Sequence, residues 1–209
     1  MQFSIISMLG FLLVTCISAR AQTPSVELKS AVPELVEVGP TPLVMDHRDS
    51  SFKVAYNDVF TILHEQNDCS QFYGGPRLAT TVLNSFITQV KPGLLLKEVS
   101  MEMSGSLQMI HEQSSGANYR LFGRTVVNVN GSFYNHRLDP SYHQSRYIGK
   151  YLSGTRAARA LILLHEMAHL IRAEDGNWLI PDDGNDRLRS TDNTLRVQKA
   201  CFAQLEHLK

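Results

Sequence analysis

From Arg156 to Ala173 the chain passes through Ala157, Ala158, Ala160, Leu161, Ile162, Leu163, Leu164, Met167, Ala168, Leu170 and Ile171, strong helix formers with few polar interruptions. A helix that is apolar around most of its circumference has to be enclosed by other elements on nearly every side. Ser153, Gly154 and Thr155 offer a cap before it, and Asp175-Gly176 ends it. With 209 residues, 43% hydrophobic and 19% charged, the chain is long enough to build one domain around this helix.

The enclosing elements divide by period. Phe52, Ala55, Val59, Ile62 and Leu63 recur at helical spacing, as do Leu78, Val82, Leu83, Phe86, Ile87 and Val90, a second helix expected to stop before Pro92-Gly93. Residues 94–103 and 119–130 are richer in Val, Leu, Tyr and Phe with partial alternation, and are expected to be strands, the clearest over residues 125–129 before the turn signal Asn130-Gly131. Residues 135–153 have no clean period and are expected to form a long surface loop. Thr191 or Asp192 is the expected cap of a final helix through Leu195, Val197, Cys201, Phe202, Leu205 and Leu208. The expected class is therefore α+β, a small, mostly antiparallel sheet packed on helices, with the apolar helix buried.

The ends of the chain indicate its compartment. Residues 5–17 form an apolar run too short to span a membrane, followed by Ala19-Arg20-Ala21, so residues 1–21 are expected to be a cleaved signal peptide and the protein to be secreted, extracellular or periplasmic. Residues 22–50 carry Pro24, Pro33, Pro40 and Pro42 and are expected to be an extended arm, leaving residues 51–209 as a single domain. Cleavage removes Cys16, and the remaining two cysteines of an exported chain point to a disulfide between Cys69 and Cys201. The 20 basic and 20 acidic side chains balance, which argues against a nucleic-acid partner. No membrane partner is expected after cleavage, and the protein is expected to be a monomer. Asn130-Gly131-Ser132 matches a glycosylation sequon, meaningful only in a eukaryotic secretory pathway.

Within the apolar helix stand His165, Glu166 and His169. Two imidazoles at i and i+4 project from one helix face and can hold one Zn²⁺, while Glu166, turned about 100° from His165, sits beside the metal's open position, where it can move a proton. His64-Glu65 and His111-Glu112 lack a second histidine four residues on. Polar groups in an otherwise apolar helix are costly unless a metal and its surroundings satisfy them.

Residues 163–170, Leu-Leu-His-Glu-Met-Ala-His-Leu, resemble the active-site helix of the zincin metallopeptidases, and the chain also resembles short exported bacterial proteins with this helix, a following Pro181-Asp182-Asp183-Gly184 and a late Cys201. The resemblance implies a zincin-like fold in which a sheet edge, here residues 125–130, lies beside the cleft and pairs with an extended substrate. It departs from the metzincin pattern, since Arg172 and Asp175 stand where that group has Gly and His, and no later Met follows Met167. In aspzincin-like enzymes the third ligand is an Asp in a loop shortly after the helix. Asp183 suits that position, with Asp182, Asp186, Asp175 and Glu206 as alternatives. For stabilising an oxyanion, Tyr134, Tyr142, His143, Tyr147 and Tyr151 are candidates between which the sequence does not choose. The implied function is a secreted zinc-dependent endopeptidase acting on peptide or protein substrates, with Glu166 as general base and His165, His169 and Asp183 as metal ligands. The competing expectation is an exported zinc-binding or interaction protein whose metal is a structural staple.

Overall fold

The computed structural model describes residues 49–95, 99–113, 116–136 and 147–208, which lie within one compact unit. The expected signal peptide and the Pro-rich arm as far as residue 48 lie outside the described residues. Among those described, no helix is long and apolar enough to cross a membrane.

Helix α1 (Ser50–His64) begins where the Asp49 carboxylate accepts a hydrogen bond from Phe52 N at 3.0 Å, so the last two residues assigned to the arm belong to this helix and its cap. It buries the apolar positions read from its periodicity, with Tyr56 added. A five-residue helix, α2 (Asp68–Phe72), follows, closed by a capping box between Asn67 and Ser70. It is too short to show a period, and the sequence reading missed it. Helix α3 (Pro76–Ile87) carries Pro76 in its first turn, where the missing N–H has no intrahelical role. It ends three residues before Val90.

Val90 and the Pro92-Gly93 pair expected to stop a helix instead form strand β1 (Val90–Gly93). β2 (Met101–His111) and β3 (Asn118–Asn128) complete a mixed sheet of order β1-β3-β2, with β1 parallel and β2 antiparallel to β3. An edge position suits β1, because Pro92 has no N–H to donate. β2 starts later than the expected 94–103 and runs through the polar stretch from Ser104, with Gly105 at φ +90° beside a register shift between Ser104 and Leu107. Its pairing with β3, and not apolar alternation, defines it. The expected substrate-binding edge is overturned: residues 125–128 are central, Thr125 facing Val90 on one side and Met103 on the other. In the expected long loop, residues 137–146 lie outside the description, while β4 (Tyr147–Ile148) and β5 (Tyr151–Leu152) form a minimal hairpin.

Helix α4 (Arg156–Ala168) is capped by Thr155, whose hydroxyl accepts from Ala158 N at 3.3 Å, and it packs against α1, α3 and α5. Its Leu161, Leu163, Leu164 and Met167 are fully buried. Removing a buried side chain leaves a cavity its neighbours fill only partly, so Leu163→Ala should lower stability by about 2–5 kcal/mol in denaturant unfolding. A loss below about 1 kcal/mol would show that α4 is not the packed centre of the domain.

The final helical segment is divided. Helix α5 (Arg187–Ala200) begins about a turn before Thr191, because Asp186 caps it by accepting from Leu188 N and Arg189 N, and that first turn is too polar to register in the apolar pattern. The chain breaks at Cys201 before α6 (Phe202–Glu206). Cys69 and Cys201 form the expected disulfide, joining α2 to the end of α5 across 132 residues of sequence.

Candidate metal centre

Helix α4 ends at Ala168 and His169 is its C-cap, so the two histidines occupy its last turn. The helix is held from two sides. Tyr73, the C-cap of α2, donates its hydroxyl to Leu164 O at 2.6 Å, and Arg120 on β3 donates through Nε to His169 O at 2.8 Å. Beyond the helix the chain crosses the open side of β3, with Arg120 N donating to Leu170 O and Arg172 N to Asn118 O. It then folds into a hairpin in which Ala173 N donates to Asn177 O and Leu179 N to Ile171 O. That excursion returns residues 180–183 to the histidines. Gly184, at φ +58°, redirects the chain towards the α5 cap.

His165, His169 and Asp183 converge. His165 Nε2 lies 3.1 Å from His169 Nε2 and 3.1 Å from Asp183 Oδ2, and His169 Nε2 lies 3.6 Å from Asp183 Oδ1. Ligand atoms around a tetrahedral zinc at 2.0–2.1 Å stand about 3.3 Å apart, so these separations fit one small cation. Among the described residues no fourth His, Cys, Asp or Glu joins the group. The histidines are buried and Asp183 is about a quarter exposed, beside a shallow surface hollow lined by residues 183–189.

The alternative third ligands are occupied elsewhere. Asp175 sits at the hairpin tip and accepts from Asn177 N and Nδ2, Asp186 caps α5, and Glu206 accepts from Tyr151 Oη at 2.9 Å and Lys150 Nζ at 2.7 Å. Asp182 is paired with Arg120, and its Oδ1 stands 4.0 Å from His169 Nδ1, too far for a hydrogen bond. Among the described residues, His169 Nδ1 is buried without a hydrogen-bond partner.

Charges in the cluster are coupled. Burial works against a protonated His165, but the hydrogen bond to Asp183 and the negative charges of Glu166 and Asp183 outweigh it and hold the ring above its ordinary value. Burial and the neighbouring His165 push His169 down to about 4. For Asp183, burial acts upward and is overcome by hydrogen bonds and charge from His165 and by hydrogen bonds with Ser190 and Asn193, so its carboxyl lies well below the usual range. The Asp183 carboxylate thus favours positive charge at His165, while burial disfavours it at His169. Glu166 has a partly exposed surface but is crowded by protein, and burial pushes its carboxyl up to about 7. It makes no hydrogen bond among the described residues, and neighbours His165 on the helix without joining the ligand group.

Several contacts here were not read from the sequence. Thr194 Oγ1 lies 3.1 Å from His165 Nδ1, and Asn193 Nδ2 donates to Asp183 Oδ1 at 2.6 Å. Arg120 is buried with its guanidinium 4.0 Å from the Trp178 ring centroid, and joins the end of α4 to the loop bearing Asp182. A buried arginine in a strand leaves no local pattern, and neither do a Thr and an Asn in a polar helix. Of the oxyanion candidates, Tyr134 donates to Asp49 and Tyr151 to Glu206, Tyr147 lies in the β4 hairpin, and Tyr142 and His143 lie outside the described residues.

Compared with known proteins, the chain matches no family model, no curated protein and no solved structure.

Proposed function

We propose that the chain is an exported, zinc-dependent endopeptidase of zincin type in which His165, His169 and Asp183 hold the metal and Glu166 is the general base. The observation that carries the reading is the convergence of two imidazole nitrogens and one carboxylate at zinc-like spacing, with an unengaged carboxylate next to them. Two histidines and a carboxylate are a donor set suited to zinc, and three protein ligands leave a coordination position open for chemistry. Zinc held there supplies Lewis acidity to the attacking water and the scissile carbonyl. Glu166 accepts the proton that the water loses and returns it to the leaving amine. Because residues 125–128 are paired on both sides, the substrate does not bind by extending β3 there. Export is supported by the Cys69–Cys201 disulfide, a bond characteristic of oxidising compartments.

The test is metal analysis of purified protein alongside cleavage of a broad fluorogenic peptide library. The reading expects about one zinc per chain and cleavage abolished by a chelator and restored by zinc. His165→Ala should lose the metal, because it removes one of only two ligands supplied by α4. Stoichiometric zinc in His165→Ala, or no cleavage by the fully loaded wild type, overturns the reading.

A further inference from the structure

Two consecutive residues of α5, Asn193 and Thr194, each reach one proposed ligand. Their hydrogen bonds have a direction that can be worked out. The Thr194 hydroxyl donates its only hydrogen to Ser190 O at 2.8 Å, so towards His165 Nδ1, 3.1 Å away, its oxygen can only accept. That contact is a hydrogen bond only if Nδ1 carries the proton, which aims the remaining nitrogen, Nε2, at Asp183 and His169 as the donor for a metal. Asn193 is buried, and its amide nitrogen donates to Pro181 O at 2.8 Å and to Asp183 Oδ1 at 2.6 Å. The first bond fixes the loop that carries Asp183. The second holds the carboxylate through Oδ1, with Oδ2 3.1 Å from His165 Nε2 and Oδ1 3.6 Å from His169 Nε2.

We infer that α5 is the element that orients the metal-binding groups: Thr194 sets the tautomer and ring orientation of His165, and Asn193 fixes the loop and the carboxylate plane of Asp183. Both are positioning residues, neither touching the metal nor the substrate. The helix is well placed for this role, because Asp186 caps one end and the Cys69–Cys201 disulfide fixes the other. α4 supplies the two histidines, and α5 supplies the outer contacts that orient one of them and the third ligand.

The inference rests on the metal reading above, and zinc titration of the full metal-free chain separates the two. Thr194→Val keeps the shape but removes the acceptor, leaving a buried N–H unpaired in the loaded site, and Asn193→Leu removes both amide donors. Partners of this kind are typically worth 10–100-fold in metal affinity. Each variant should bind zinc about 10–100-fold more weakly, while Thr194→Ser, which keeps the oxygen, should stay within about threefold of wild type. A fold defect alone would lower the melting temperature of the metal-free protein and would not be rescued selectively by serine.

A measurement on the wild type needs no variant: in the zinc-loaded protein the His165 Nδ1 proton should exchange slowly with water in ¹⁵N-resolved NMR. Zinc bound within twofold of wild type by both variants, or a rapidly exchanging Nδ1 proton, overturns the role of α5 and leaves the metal reading standing. A wild-type chain that takes up no zinc overturns both.

Discussion

Glu166→Gln should leave zinc bound and lower peptide turnover by at least about 10²-fold, the lower end of the range for a general base. Glutamine preserves the shape and reach of the side chain but cannot take a proton from water. Glu166 is suited to the substitution because it joins neither the ligand group nor any hydrogen bond among the described residues, so no ligand loses a partner. Zinc content and kcat are measured on the same preparations. A variant that keeps its zinc and cleaves as fast as wild type would leave the metal as a structural staple, for which the carboxylate has no purpose.

Replacing Cys69 and Cys201 together with alanine should cost roughly 4–5 kcal/mol of stability, the chain-entropy value for a loop of this length. For a domain of this size that corresponds to a melting temperature about 10–20 °C lower. The bond closes 132 residues, and both cysteines are fully buried. It therefore restrains the unfolded chain while replacing no exposed surface in the folded one. Thermal unfolding under non-reducing conditions measures the difference. A drop of less than about 3 °C would mean that the unfolded chain is already confined and the loop-closure argument does not apply to it.

What could be read along the chain and what could not follow the range of the forces involved. Helix α4, its Thr155 cap and the approach of His165 to His169 were legible because each depends on residues within a turn of one another, and an i, i+4 pair meets on one helix face whatever the rest of the fold does. The cysteine pairing was legible because the expected removal of Cys16 with a signal peptide left one combination. Asp183 could only be narrowed to a loop with several aspartates. The hairpin of residues 171–179, docked on β3, brings its carboxylate to His165 across 18 residues and carries Asp175 away from it. Strand order was equally out of reach, and residues 125–128 became central because a four-residue strand containing a proline paired beside them, a non-local choice that no alternation of side chains encodes. Thr194, Asn193 and Arg120 sit in unremarkable local sequence. Their places at the site are decided by the packing of α5 and the sheet against α4, which brings groups 29 or 49 residues apart within hydrogen-bonding distance. The sequence by itself thus determined the buried helix and the pairing of two histidines on its face. Tertiary structure alone decided which aspartate completes the group and which neighbours aim it, since those contacts exist only once distant backbone segments have been packed together.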